Sequence, residues 1–376
     1  MQNLSLNKFE GLDTLRGLAA LFVFVFHFHS AFQDKAAIPQ MLELTGAAGH
    51  IGLDIFFVLS GFLIFRSLYL HGVNKQYFVR RFFRIAPIYY FSLIFVLIFI
   101  DQSFFFSLQG LWNIVSHLLF LQSFSSATYY GINPVLWSLS IELIFYLFLP
   151  IFFLITKRKD SRLVFGIIIM IILCIVYRYG ITAYYSHWDA TQRIIYTENI
   201  IGRFDQFALG MLASLATIKI SAAKSIGKKT LNYIKALALS FIVAGCSGLI
   251  FGMTVFEEYQ SGFRDILLLQ VFLHSFIGLS TALLIFGLSN SYQIISKIIG
   301  NKVFAFLGVI SYSFYIWHVI IIDQIVKLSE KRDLLGLEFP IAFLATLAFS
   351  AVTYYLIERS FLAKKKYSSR SPATNK

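Results

Sequence analysis

The sequence predicts an all-α integral membrane protein, a bundle of about ten transmembrane helices with both termini cytoplasmic. Three observations carry this. The chain is 58% hydrophobic and only 14% charged, with a mean hydropathy of +0.73, outside the range of soluble globular domains. Ten apolar runs, at 12–33, 50–70, 86–101, 135–156, 163–180, 200–218, 231–252, 265–289, 303–326 and 339–358, approach or reach the length that crosses about 30 Å of hydrocarbon. The intervening segments alternate in basic content. With the N-terminus inside, the inner loops and the tail hold 20 Lys and Arg and the outer loops hold 6, an asymmetry that sets the orientation.

The first run, LDTLRGLAALFVFVFHFHS, carries Arg16, His27 and His29 inside apolar sequence. Ionisable groups at such positions are costly and mark function by default. Arg16 and His27 are eleven residues apart, close to three helical turns, so they share a face about 16 Å apart along the axis. His29 falls near the opposite face and reads as a packed or interfacial histidine. No basic segment precedes this run and no small-residue cleavage site follows it, so it is expected to be a retained span rather than a signal peptide.

The second run, GHIGLDIFFVLSGFLIF, places Asp54 near its outer end, at a depth comparable to His27 on the antiparallel first helix. A carboxylate there would orient the imidazole and hold its tautomer, or serve as a cap at the helix start. Ser60 and Gly61 read as small residues for close helix packing. Arg80, Arg81 and Arg84 crowd the inner start of the third run. Arg81 and Arg84 lie one turn apart and suit a phosphate-bearing ligand, although taken alone they read as positive-inside anchors.

The run near 111–121 is too short to cross and is expected to be an interfacial or re-entrant helix on the outer side. The fourth span starts at Asn133 and Pro134, with Ser138 and Glu142 on one face. An intramembrane glutamate has to find a partner or stay protonated, so Glu142 belongs inside the bundle. Arg203 and His318 read as structural intrusions. The expected domain division is 1–362 as one membrane domain and 363–376 as a basic, disordered cytoplasmic tail, and no soluble domain is expected at either end.

Net charge +13 follows from the membrane-flanking clusters, so no nucleic-acid partner is expected. Cys174 and Cys246 both lie in apolar runs without paired spacing, so neither a disulfide nor a thiolate metal site is expected.

Taken together, LDTLRGLAALFVFVFHFH, GLDIFFVLSGFLI, Arg81-Phe82-Phe83-Arg84, WSLSIELIFYLFLP, RFDQFALGMLAS and SYSFYIWH resemble, in order and placement, the acyltransferase family 3 of multi-pass membrane enzymes. The resemblance spans nearly the whole chain. It implies transfer of an acyl group, most often acetyl, from cytoplasmic acyl-coenzyme A to a hydroxyl of a cell-surface polysaccharide such as lipopolysaccharide O-antigen or exopolysaccharide. It further implies a bacterial inner-membrane location, membrane lipids as surroundings, no permanently bound cofactor and no metal. By the same resemblance His27 is the essential histidine, Arg16 its companion, Arg81 and Arg84 the donor-binding pair, and Glu142 the acidic position of the Trp-Ser-Leu stretch. With Asp54 these form the candidate site. Many members carry a second Glu after that acidic position, where this chain has Leu143, and many carry a C-terminal extracytoplasmic domain. The competing class is a multi-pass transporter or flippase that uses the same polar groups as a path, although the paired repeats common in secondary transporters are missing.

Overall fold

The computed structural model describes residues 10–32, 46–184, 190–223, 228–261, 267–291, 300 and 302–361. Every regular element among them is helical: α1 (Glu10–Phe32), α2 (Ile51–His71), α3 (Lys75–Phe95), α4 (Leu108–Leu118), α5 (Trp137–Thr156), α6 (Asp160–Tyr184), α7 (Ala190–Thr197), α8 (Ile200–Ala222), α9 (Lys228–Ser261), α10 (Leu267–Asn290), α11 (Lys302–Ser329) and α12 (Glu338–Thr353). Nine are long and apolar enough to cross a membrane. The expected span at 200–218 forms the 23-residue α8, but Arg203, Asp205 and Lys219 leave it less apolar than the others. The expected tail at 363–376, and Trp188 between the fifth and sixth expected spans, lie outside the described residues.

Two starts differ from the apolar pattern, for a local reason. The third span was expected from residue 86, but α3 begins at Lys75, where the Asn74 side chain accepts a hydrogen bond from the Tyr77 amide at 2.9 Å. Helix propagation from a good cap continues through the arginines, so Arg81 and Arg84 stand on the helix rather than in a loop. The seventh span likewise extends beyond 231–252 into the 34-residue α9.

The short run begins slightly earlier than expected, at Leu108, with Ser107 accepting from the Gly110 amide at 3.0 Å. Its amphipathicity is inverted: Leu108, Leu111, Trp112, Val115 and Leu118 are exposed, while Asn113, Ser116 and His117 are buried. An outward apolar stripe on an eleven-residue helix fits a lipid boundary and is too short to cross. Burial pushes the His117 imidazole down to about 4, and its Nδ1 lies 2.8 Å from the Asn113 carbonyl, so it is a neutral packed histidine.

The chain divides into two compact units, 1–72 with 147–311 and 73–146 with 312–376. In the first, α2 packs against α1 and α8, α8 against α6 and α10, and α9 along α10. The α2–α8 contact is backbone to backbone. A Cβ at Gly61 would stand 2.2 Å from the Phe207 carbonyl oxygen, and one at Gly210 would stand 2.1 Å from that of Val58. Two glycines facing each other's helix set the spacing that brings Asp54 to Arg203. In the second unit α3 packs against the turn Tyr354–Glu358 that continues α12.

Candidate active site

The first unit buries an acid–base network. Asp54, one turn into α2, is fully buried, and its Oδ1 accepts from Arg203 Nη1 at 2.7 Å, from the Gln206 amide, and lies 2.9 Å from His274 Nδ1. Arg203 Nη2 reaches Glu198 Oε1 at 2.8 Å, so one guanidinium bridges two carboxylates. Glu198 stands directly before the Asn199 cap of α8, whose side chain accepts from the Ile201 and Gly202 amides. Burial opposes its ionisation, but Arg203 and His50 outweigh that and hold its carboxyl below the usual carboxylate range. His50 Nε2 and His274 Nε2 each lie 3.6 Å from Glu198, one on each oxygen.

His27 belongs to the same unit, on α1. Its ring packs edge-on against Phe26 at 5.1 Å, and Phe26 packs edge-on against His50 at 5.3 Å. Arg16 pairs with Asp13 at 3.7 Å. His29 lies against Gly46, as expected for a packed histidine. The expectation that Asp54 orients His27 is corrected: the imidazole on Asp54 is His274, because α10 and α8 close around the outer turn of α2 and saturate Oδ1. Next to this network, Arg178 and Asp205 form a second buried pair at 2.7 Å, joined by Ser275.

The second unit gathers the arginines. The Arg81 guanidinium lies over the rings of Tyr77 and Tyr146 at 5.8 and 5.6 Å, and its buried Nε has no hydrogen-bond partner among the described residues. Arg84 Nη1 bonds Glu358 Oε1 at 2.6 Å, and the other oxygen of Glu358 accepts from Ser313 at 2.9 Å. The expected pair is therefore asymmetric, with Arg84 held by a buried carboxylate and Arg81 held by aromatic faces. Glu142 also belongs to this unit. It accepts from the Tyr146 hydroxyl at 2.6 Å and lies within electrostatic reach of Arg84 and Tyr312. Ser138 does not join it and bonds Tyr315 at 2.7 Å; His318 lies 2.6 Å from the Tyr315 carbonyl, as a structural histidine does.

Glu198, His274, Gln206, Arg178 and Glu358 escaped the sequence reading. His274, Arg178 and Glu358 carried the same signal as His27, a polar side chain in apolar sequence. Among the described residues no cluster of His, Cys, Asp and Glu is arranged to hold a metal ion. Chemically, the first unit offers imidazoles on carboxylates for proton transfer, and the second offers guanidinium groups for an anionic ligand.

A family model described as an acyltransferase domain matches residues 9–355. Among curated proteins, the chain is 25% identical over 93% of its length to a Bacillus subtilis (strain 168) protein provisionally named peptidoglycan O-acetyltransferase YrhL, covering 54% of that protein. It is 26% identical over 93% of its length to a Staphylococcus aureus (strain COL) protein provisionally named O-acetyltransferase SACOL0978, covering 57% of it. It is also 27% identical over 85% of its length to the peptidoglycan O-acetyltransferase OatA of Listeria monocytogenes, covering 50% of it. The chain thus spans about half the length of the curated relatives it matches. No solved structure matches it.

Proposed function

This chain belongs to the acyltransferase 3 family, and from that premise we propose that it moves an acyl group, acetyl first among candidates, from acyl-coenzyme A to a hydroxyl of an extracytoplasmic glycan. The thioester C–S bond breaks, an ester C–O bond forms, and the hydroxyl proton ends on the thiol. The relatives' names support an O-acetyl product and favour peptidoglycan as the first acceptor to test, ahead of lipopolysaccharide O-antigen or exopolysaccharide. A multi-pass position in the bacterial inner membrane, with cytoplasmic donor and outer acceptor, completes the reading.

The observation that carries the donor assignment is the Arg81 guanidinium, framed by Tyr77 and Tyr146 and paired with no carboxylate among the described residues. Its fork suits the phosphates of coenzyme A, with Arg84 as second cation. His27 acts either as general base on the hydroxyl or as nucleophile through an acyl-imidazole, and Arg16 shares its helix face. Single-turnover trapping without acceptor separates the two routes.

Acetyl-coenzyme A binding and turnover by the purified full chain in nanodiscs test the proposal. Arg81→Ala is expected to weaken donor binding about 10- to 100-fold, the scale of a lost charged hydrogen bond, and Arg81→Lys to recover part of it. Arg84→Ala is expected to lower donor affinity and also thermal stability, because it strands the buried Glu358. Unchanged donor affinity in all three variants would return the arginines to the role of topology anchors.

A further inference from the structure

α12 buries a stripe of small and polar residues, and the stripe ends on an acid that ordinary helical spacing would turn away. Ala342, Thr346, Ser350 and Thr353 are buried at steps of four, four and three, so the next inward position of an α-helix is Leu356 or Ile357. The buried residue is Glu358 instead. The Tyr354–Glu358 turn closes five residues back, with the Arg359 amide on the Tyr354 carbonyl, and this one extra residue rotates Glu358 onto the stripe. Two rungs tie the stripe to α11. Trp317 Nε1 donates to Thr353 Oγ1 at 3.1 Å and Ser313 Oγ donates to Glu358 Oε2 at 2.9 Å, so a step of four residues on α11 meets a step of five across the end of α12.

The carboxylate so delivered meets α3. Glu358 Oε1 accepts from Arg84 Nη1 at 2.6 Å, while the ring of Tyr312 lies 5.9 Å from the same guanidinium and its hydroxyl donates to the Ile85 carbonyl at 2.7 Å. Phe83 stacks on Phe361 at 5.7 Å, one turn further along. Glu358 places one oxygen on Arg84 and the other on Ser313, so it takes a single N–H of the guanidinium where a bidentate carboxylate would take two. The Glu358 side chain is 1% exposed, whereas 28% of the Arg84 side chain stays open. A buried anchor below an open fork fixes a long, rotamer-rich side chain in advance, so that its ordering is not left to the moment an anion binds.

We propose that Glu358 is a positioning residue for the acyl donor: with Ser313 and Tyr312 it sets the Arg84 guanidinium so that its remaining N–H groups meet a phosphate of coenzyme A beside Arg81. The proposal rests on the reading of these two arginines as the donor site. Glu358 touches no substrate and acts only through Arg84. A cation that serves to orient a span needs charge and no fixed direction, whereas the direction of this one is fixed by a buried carboxylate and an aromatic face.

The test is acetyl-coenzyme A binding to the full chain in nanodiscs, with KM and kcat for acyl transfer and the melting temperature measured alongside. Glu358→Gln is expected to weaken donor binding and raise the donor KM about 10-fold, the scale of one charged hydrogen bond, with kcat at saturating donor unchanged. Glu358→Asp, which keeps the charge, is expected to recover part of that affinity. Because Glu358 acts through Arg84, adding Glu358→Gln to Arg84→Ala should cost no further affinity. A pair of structural value alone would lower the melting temperature and leave the affinity of the folded chain at the native level, and that result overturns the proposal. So does an additive loss in the double variant, and so does tighter binding by Glu358→Gln, the mark of a carboxylate that competes with the phosphates. Where Glu358→Gln fails to accumulate, Ser313→Ala carries the test: an affinity loss of about threefold, the scale of one neutral hydrogen bond, that disappears in the Arg84→Ala background supports the proposal, and no loss, or one that persists there, overturns it. If the native chain binds no acetyl-coenzyme A, the donor reading fails and takes this one with it; native binding matched by Glu358→Gln overturns the role of Glu358 alone.

Discussion

His27 stands where a single imidazole meets a shared aromatic neighbour of the buried network, which makes its substitution informative. His27→Ala is expected to abolish surface O-acylation while the protein inserts and accumulates normally, because the loss removes a reacting group without making α1 less apolar. His29→Ala is expected to keep most activity, since that ring packs on Gly46. Acetyl content of the isolated glycan and membrane-fraction abundance measure both, and a reversed order of effects would mean the other face of α1 bears the chemistry. His27 was legible because polar groups in apolar sequence stand out. Its neighbours were not, because the partner of a buried charge is a matter of tertiary packing: Asp54 meets His274 across 220 positions and Arg84 meets Glu358 across 274. The pairing of Asp54 with His27, drawn from similar depth on adjacent helices, failed because a third and a fourth helix supply stronger partners than the nearest neighbour in sequence.

At the level of the elements, apolar runs located the helices, whereas their ends depended on caps lying outside those runs, as Asn74 shows for α3. The inverted stripe of α4 was legible as a length too short to cross, but its buried polar face was not. The contact that matters most for the site is the α2–α8 seam. Gly61→Ala or Gly210→Ala puts a methyl group about 2 Å from a backbone oxygen of the facing helix, so the helices have to part. Each is expected to cost about 1–3 kcal/mol, the range for overpacking, and to loosen the Asp54–Arg203 bond at 2.7 Å. Gly180→Ala on α6, where a Cβ meets nothing within 4 Å, is the control and should be neutral or slightly stabilising. Thermal melts of the three variants in one detergent check this; equal melting temperatures would show that the seam tolerates separation.

For the whole molecule, the ratio of 20 inner to 6 outer basic residues predicts where labels are reached. Cysteines introduced at Asn74, Lys159, Lys228 and the C-terminus are expected to react from the cytoplasm, and those at Ser126, Trp188 and Glu258 from outside. Labelling of Ser126 from the cytoplasm would make the 108–118 helix part of a true crossing and reverse everything that follows it. One helix also bears on how the protein comes to be made. Three charged side chains sit on α8, and burying a lone Arg or Asp among apolar helices is costly. By the time α8 leaves the ribosome, α2 and α6 have already been synthesised, bringing Asp54 and Arg178 to meet Arg203 and Asp205. His274 and Ser275 emerge only later, on α10, and close around pairs already made. The buried ions thus double as an order of assembly: α8 packs in company, with its two countercharges already made when it emerges.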